Sequence, residues 1–344
     1  MNRARFETLT ARYPALRLAV VGDFCLDRYL EIDPARAETS LETGLPVYNV
    51  VNVRSQPGAA GTILNNLVAL GVATLYPVGF CGEDGEGYEL QRALRARPGV
   101  RLDHFLATPR RRTFTYCKPL VLEPGRPPRE LNRLDSKNWS PTPPEVEDRL
   151  RDSVRALAPD VDALIILDQV DLPDTGVITR RVLETLDEIA RAHPDKLIIA
   201  DSRRGLRDFP PLTFKMNGRE LGALTGSGPL RELEPVCRHA RELAARNGKP
   251  VFVTLAEQGI VGAAPEGRVE HVPALPVRGE IDIVGAGDAV TANLACALTA
   301  GASLREAMEL AMAAASHVIH QLGTTGTAAV ADLRALLDFA EPAA

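Results

Sequence analysis

Short apolar runs alternate with helical patterns along most of the chain. Residues 17–22, 162–167 and 196–200 are mostly apolar, and each run ends in glycine or is followed by aspartate. Runs of this length, bounded by turn-forming residues, are typical of strands buried on both faces of a sheet. Residues 176–192 and 231–247 carry apolar side chains at helical spacing. The alternation predicts an α/β fold with three α/β/α layers and a central, mostly parallel sheet.

The same patterns predict further elements. They indicate strands at 74–78 and 251–255, and helices at 59–70, from a cap at Asp84 to about 97, at 287–300, at 304–322 and at 330–339. The segment 123–144 is rich in Pro, Arg and Asn, which is typical of a surface loop or hairpin.

Two β-rich patches, residues 45–55 and 113–122, stand apart from the alternation. Their Val-rich, partly polar pattern is typical of exposed β structure. No segment of the chain repeats. We therefore expect one domain, 1–344, with a small β lid formed by insertions at about 30–56 and 112–134.

Composition excludes several classes of protein. Hydrophobic residues make up 45% and charged residues 25%, as in soluble globular proteins, and a net charge of -5 does not favour nucleic-acid binding. Five widely spaced cysteines without a C-x-x-C pair indicate neither a disulfide framework nor a zinc site. The first 17 residues lack the apolar core of a signal peptide, and no apolar stretch is long enough to cross a bilayer. A cytoplasmic location, away from membranes, is expected.

The strongest chemical signal is the sequence DIVGAGD at residues 282–288, followed by an apolar helix. Gly285, Ala286 and Gly287 predict a tight turn whose amides point outward at a helix start, an arrangement that binds phosphate. Asp288 is placed to accept a proton from a hydroxyl beside that phosphate. The alternative is a glycine-rich helix start with an aspartate cap. A P-loop and a dinucleotide fingerprint both fail on spacing.

This motif resembles the D-T-x-G-A-G-D signature of the ribokinase-like (PfkB) family of carbohydrate kinases, with Ile283 in place of threonine. The resemblance spans nearly the whole chain. It is strongest to the heptose-phosphate kinase branch, through VVGDFCLDRY at 20–29, RLD at 133–135 and AMAAA…LGT at 311–324.

The resemblance implies a ribokinase-like fold and an enzyme that uses ATP and Mg²⁺. Asp288 would be the base, the three preceding residues the anion hole, and Asp27 a ligand of sugar hydroxyls, unless it only caps a turn. Asn217 and Glu220 match N-x-x-E, which organises Mg²⁺ through water, although such a pair is also typical of a helix cap and its N3 partner.

Other implied nucleotide contacts are Thr254, Gly259 and the strand-end Asp201. Carbonyls near Asp282 and Val284 are candidates for binding a monovalent cation, which would be K⁺. Lids of this kind often pair in relatives, so the resemblance also implies a homodimer.

The substrate side departs from the G-G-x-x-N motif of the branch. The chain reads PGAAGT at 57–62, so that Gly58 is kept, Ala59 replaces the second glycine and Thr62 replaces the asparagine. These three are the candidate substrate-binding residues, and nearby Asn66 is a candidate to compensate for the missing amide. Ala256 also replaces a glycine in the nucleotide turn, and Met312 stands where many members carry asparagine.

The sequence therefore predicts ATP-dependent phosphorylation of a hydroxyl on a sugar or sugar phosphate. The alternatives are a nucleoside or other polyol kinase, a catalytically weak regulatory protein that binds a sugar or nucleotide, and an unrelated α/β enzyme in which 285–288 is only structural.

Overall fold

The computed structural model describes residues 1–337 of the chain. The strands are β1 (Arg17–Gly22), β2 (Phe24–Ile32), β3 (Glu38–Thr39), β4 (Pro46–Val47), β5 (Val50–Ala59), β6 (Thr74–Gly82), β7 (Phe105–Thr108), β8 (Thr115–Val121), β9 (Arg129–Glu130), β10 (Leu134–Ser136), β11 (Ala163–Asp168), β12 (Leu197–Ser202), β13 (Thr213–Asn217), β14 (Val251–Thr254), β15 (Ile260–Ala263) and β16 (Val269–Val272). The helices are α1 (Arg3–Thr10), α2 (Ala60–Ala69), α3 (Gly85–Arg95), α4 (Pro144–Leu157), α5 (Arg180–Ala192), α6 (Gly218–Thr225), α7 (Leu233–Asn247), α8 (Ala286–Thr299), α9 (Leu304–Val318) and α10 (Val330–Leu336).

A nine-stranded sheet has the order β16-β15-β14-β13-β12-β11-β1-β6-β7. The pairs from β7 through to β14 are parallel, and β15 and β16 are antiparallel. Strand order reverses between β1 and β11, which is where open α/β sheets collect ligands, beyond the carboxyl ends of the strands.

Helices cover both faces of this sheet. Along β1, Leu18 and Val20 pack into one core with α2, α8 and α9, and Ala19 and Val21 pack into the other with α4, α5 and α7. A strand buried on both faces has no polar side to alternate with, which is why its sequence is continuously apolar.

A second, smaller sheet has the order β10-β8-β2-β5, with β9 paired to β8. We call this the small sheet. It begins at Phe24, directly after β1, so the chain passes from one sheet to the other through Asp23. The buried Asp23 carboxylate holds this corner by accepting the N–H groups of Gln169, Val170 and Val177.

The predicted fold class is confirmed: a mostly parallel sheet lies between helical layers, beside a small second sheet. Element bounds differ in places. The 45–55 strand lies at Val50–Ala59, and the helix predicted to begin at 176 starts after a Thr179 cap. The 304–322 helix ends at Val318, and residues 338–339 of the last predicted helix lie outside the described chain.

Some elements were not predicted, among them the helices α1 and α4 and the antiparallel edge of the main sheet. Within residues 1–337, no helix has the length and apolarity needed to span a bilayer.

Candidate active site

The start of α8 forms the candidate anion site. Gly285 precedes the helix with φ +84°, a left-handed conformation that glycine adopts without steric penalty. The Ala286 N–H donates to the Ile283 carbonyl at 3.3 Å and is therefore already engaged. Within residues 1–337, the N–H groups of Gly285 and Gly287 have no protein acceptor. Two of the three expected donors, with the positive end of the helix dipole, are thus available to an anion.

Asp288 lies in the first turn of α8 and is half-buried. Burial raises the pKa of its carboxyl to about 7; Lys215 opposes the rise, and Asp201 and Asp27 add to it. A carboxyl with a pKa near neutral pH is well matched to taking a proton from an alcohol in the transition state.

Lys215, on β13, lies beside this turn. Its side chain is almost fully buried, and Nζ donates to Oδ2 of Asp201, at the end of β12, at 2.7 Å. Burial works to lower the pKa of Lys215, but Asp201, Asp288 and Glu220 outweigh it, so the pKa is raised. The lysine is held as a cation among three carboxyl groups.

Asn217 and Glu220 form the capping box of α6. Asn217 Oδ1 accepts the Glu220 N–H at 2.9 Å, and Glu220 Oε2 accepts the Asn217 N–H at 2.8 Å. Burial raises the pKa of Glu220, and Asp201 adds to it. The helix-capping role considered from the sequence is therefore present. The capping box also lies near Lys215 and Asp201. Thr254 is the cross-strand neighbour of Asn217.

Two positions of the nucleotide turn keep a glycine-like backbone. Gly259 has φ +96°, and a Cβ there would lie 2.1 Å from the Val272 carbonyl oxygen, so glycine is required for packing. Ala256 has φ +48°, although it carries a side chain. The residue that stands in place of the family's glycine therefore has a backbone conformation that favours glycine.

Asp27 is buried on β2 and faces the same region. Its cross-strand neighbours are Gln56 on β5 and Tyr116 on β8, and Tyr116 is in turn opposite Asp135 on β10. Cross-strand partners share a face, so these polar side chains form one row across the small sheet. Burial raises the pKa of Asp27, and Lys118 and Arg133 oppose it.

The residues of the altered 57–62 segment have different environments. Ala59 has φ +53°, again a backbone conformation that favours glycine. Thr62 is buried, and its methyl group would lie 3.5 Å from a Cβ at Gly285. Asn66 is buried and donates to the Thr62 carbonyl at 3.0 Å. Its amide nitrogen is therefore engaged within α2, while its buried Oδ1 has no partner within residues 1–337 and can still accept a hydrogen bond.

The proposed cation-binding segment is tied to the end of α9. The Asp282 N–H donates to the Ile319 carbonyl at 2.8 Å, and Asp282 Oδ1 accepts the Val284 N–H at 3.0 Å. Met312, noted as a departure near the nucleotide, is buried within the core.

Sequence reasoning missed Lys215 and Thr291, whose hydroxyl lies 3.3 Å from Asp201 Oδ2. One signal was available for the lysine: it is the only charge in the apolar run 212–216, in a chain with only five lysines. A charge inside a buried strand needs a partner or a function.

Comparison with known proteins agrees with this geometry. The profile of the pfkB family carbohydrate kinases matches residues 17–330. The chain belongs to that family. The resemblance drawn from the motifs is thereby confirmed.

Among pfkB relatives, the bifunctional protein HldE of Azorhizobium caulinodans is 32% identical over 323 residues. That match covers 93% of this chain and 64% of the relative, so the chain spans less than two thirds of the relative's length. Arabidopsis thaliana ribokinase, solved with ribose and ATP, aligns over 94% of this chain and 99% of its own, with a TM-score of 0.66 and 21% identity. Escherichia coli phosphofructokinase-2, solved with potassium, aligns over 93% and 98% with a TM-score of 0.69 and 20% identity. The two structures support the fold.

Proposed function

We propose that this pfkB protein is an ATP-dependent kinase that phosphorylates a hydroxyl group of a sugar or sugar phosphate. One observation carries the proposal: Asp288, with a pKa of about 7, stands at the helix start where two amides lack acceptors within residues 1–337. A base and an anion site side by side are the parts that phosphoryl transfer to an alcohol requires.

The residues support a simple sequence of events. The amides of Gly285 and Gly287 bind the terminal phosphate, and Asp27 orients the acceptor by accepting hydrogen bonds from its hydroxyl groups. The acceptor oxygen attacks phosphorus as its proton passes to Asp288, the new O–P bond forms, and the bond to the ADP oxygen breaks. Enzymic bases in such positions contribute about 10²–10⁴-fold.

Mg²⁺ fits the oxygen-rich environment beside the phosphate site. Asn217 and Glu220 supply amide and carboxylate oxygens, which suit a magnesium ion that keeps its waters. Bound there, the ion would neutralise phosphate charge. Carbonyls near Asp282 and Val284 are the proposed position for a monovalent cation such as K⁺.

Cations on the small sheet support an acceptor that bears a negative group. Lys118 lies over the Tyr29 ring, 4.9 Å from its centroid, and Arg133 lies over the Tyr116 ring at 5.0 Å. Both lower the pKa of Asp27, so both stand near the proposed hydroxyl ligand. Arg133 is paired with Asp135, whereas Lys118 has no carboxylate partner within residues 1–337, so a phosphate or carboxylate at the far end of a sugar would meet Lys118.

A panel of sugars, sugar phosphates, sugar acids and nucleosides, scored for acceptor-dependent ADP formation, tests the proposal. We expect turnover with an anionic sugar, and its loss in Asp288→Asn. Turnover that survives Asp288→Asn would rule out the proposed base. A nucleoside as best acceptor would favour the alternative kinase. Binding of ligands without turnover would favour the weak regulatory protein, for which the retained strain at Ala59 and Ala256 is the supporting observation.

We also propose that the protein is a homodimer that pairs through the small sheet. The face of that sheet opposite Asp27 carries Val51, Val53 and Leu134, which are 49%, 44% and 64% exposed. Apolar side chains grouped on one sheet face are typical of a surface covered by a partner. A second copy of the same sheet is the partner proposed.

A further inference from the structure

The ammonium group of Lys215 lies against Gly287, in the first turn of α8. Gly287 lies in the regular helix α8 and does not have a positive φ, so its backbone does not require glycine. A Cβ at this position would lie 3.1 Å from Lys215 Nζ, a close contact that a small shift of the lysine side chain would relieve. The ammonium group therefore stands at the edge of the anion site, directly against the turn that supplies its free amides.

The ammonium group has hydrogen-bonding capacity to spare. Of its three N–H bonds, one is directed to Asp201 at 2.7 Å, and the described residues 1–337 provide no second acceptor within hydrogen-bond distance. The side chain is almost fully buried, so the ammonium group has little contact with bulk water. An unfilled, buried cation beside free amides points to an anionic ligand.

Asp201 keeps that cation in place. Its Oδ2 accepts from Lys215 and lies 3.3 Å from the Thr291 hydroxyl, one turn beyond Gly287 on α8. A buried ion pair is costly to desolvate and is not a reliable source of stability, so a structural role alone does not explain why both charges are present.

We propose that Lys215 is a further catalytic residue that contacts the phosphoryl group being transferred, and that Asp201 is the positioning residue that aims it. The inference rests on the proposed kinase function. Lys215 remains protonated throughout and transfers no proton. It neutralises charge on the phosphoryl oxygens as the bond to ADP breaks.

Nucleotide binding tests this without knowledge of the acceptor. The terminal phosphate is present in ATP and absent from ADP, so a contact to it is measured by the ratio of the two dissociation constants. Titration calorimetry with MgATP and with MgADP is expected to show that Lys215→Met weakens ATP binding about 10- to 100-fold, the effect of one charge-assisted contact. Affinity for ADP is expected to change less than about twofold, which also shows that the variant is folded. Equal loss of both nucleotides, or no loss of ATP, would overturn the proposal.

Two variants distinguish a direct contact between Lys215 and phosphate from repulsion of phosphate by an unpaired Asp201 carboxylate. In Lys215→Met, the unpaired Asp201 could repel phosphate, and the double variant Lys215→Met/Asp201→Asn removes that charge. We expect the double variant to bind ATP as weakly as Lys215→Met. Recovery of wild-type ATP affinity in the double variant would show repulsion alone and refute the contact.

Asp201→Asn by itself tests positioning. We expect this variant to weaken ATP binding several-fold in the wild-type background and to have no effect in the Lys215→Met background. The reason is that Asp201 affects ATP only by positioning Lys215. Additive effects in the two backgrounds would contradict a positioning role. Lys249→Met, which changes a half-buried lysine whose Nζ donates to the Pro194 carbonyl, is the matched control.

The outcome is distinguishable from failure of the kinase proposal. If the unmodified protein binds neither nucleotide, the proposed function itself fails. A second outcome is that the unmodified protein binds ATP and turns over an acceptor, and that Asp288→Asn abolishes this turnover. If Lys215→Met then leaves both ATP binding and turnover intact, only the present inference fails.

Discussion

The carboxylate of Asp27 occupies the space that a side chain on Gly58 would need. A Cβ at residue 58 would lie 2.6 Å from Asp27 Oδ2 and 2.8 Å from its Cγ. The two residues are on neighbouring antiparallel strands, β2 and β5, so neither can withdraw without disturbing the small sheet. Glycine at 58 therefore sets the position of Asp27, the residue proposed to bind the hydroxyl groups of the acceptor.

Gly58→Ala is expected to displace the Asp27 carboxylate and to impair catalysis with the acceptor. A misplacement of about 1 Å between reacting partners costs on the order of 10²-fold in rate. We expect kcat/KM for the acceptor to fall by about that factor while the dissociation constant of ATP is unchanged. Gly85→Ala is the control, since a Cβ there meets no atom within 4 Å. Equal effects of the two variants would contradict the assignment.

Ala59→Gly and Ala256→Gly are each expected to stabilise the fold. Both alanines have positive φ, at 53° and 48°, and such strain costs about 1–3 kcal/mol. Glycine also has more conformational freedom in the unfolded chain, which lowers the free energy of unfolding by about 0.4–1 kcal/mol. Urea unfolding should therefore show a net gain of about 1 kcal/mol at each site.

The control for that experiment is Ala223→Gly, at an exposed position of α6, where the same change is expected to destabilise by about 1 kcal/mol. Destabilisation at all three positions would show that the two turns are not strained.

The rate is expected to fall on acidification through the pKa of Asp288. The base works as the carboxylate, and its pKa is raised to about 7 by burial. The acid limb of kcat/KM for the acceptor should therefore have its midpoint near pH 7, about three units above that of a solvated aspartate. A limb centred near pH 4 would indicate that Asp288 is fully solvated or is not the base.

Stability should change with pH in the opposite sense to activity. Because the folded pKa of Asp288 lies above its ordinary value of 3.8, the folded protein holds more protons than the unfolded chain between about pH 4 and 7. Its contribution to stability therefore declines as pH rises through that window. Asp288→Asn, which cannot ionise, should raise the free energy of unfolding at pH 8 relative to wild type, and the gain should vanish near pH 4. A gain independent of pH would contradict the linkage.

Val53→Lys is expected to convert a dimer to a monomer. The charge would stand on the apolar face opposite Asp27, on the edge strand β5, where a partner would have to desolvate it. Light scattering of wild type at working concentration should give twice the chain mass. A monomeric wild type would refute pairing through the small sheet. Glu42→Lys, an exposed change outside that face, is the control.

Much of the framework was predictable because its causes are local. Apolar runs such as 162–167 and 196–200 are strands for reasons contained in a few consecutive residues. The DIVGAGD motif likewise combines a turn, a helix start and a carboxylate within seven positions. Local patterns also yielded the Asp84 cap of α3 and the existence of α8.

The tertiary structure decided what depends on distant residues meeting. Lys215 and Gly287 are 72 positions apart, and only packing of β13 against the start of α8 reveals that the two meet. The position of the Glu220 carboxyl near Lys215 and the pKa of Asp288 are of the same kind. Each depends on burial and on charges contributed by other elements, and a linear pattern carries neither. The sequence alone determined which chemical groups are present and which turn carries them; folding determined which groups share one low-dielectric space and therefore act on one another.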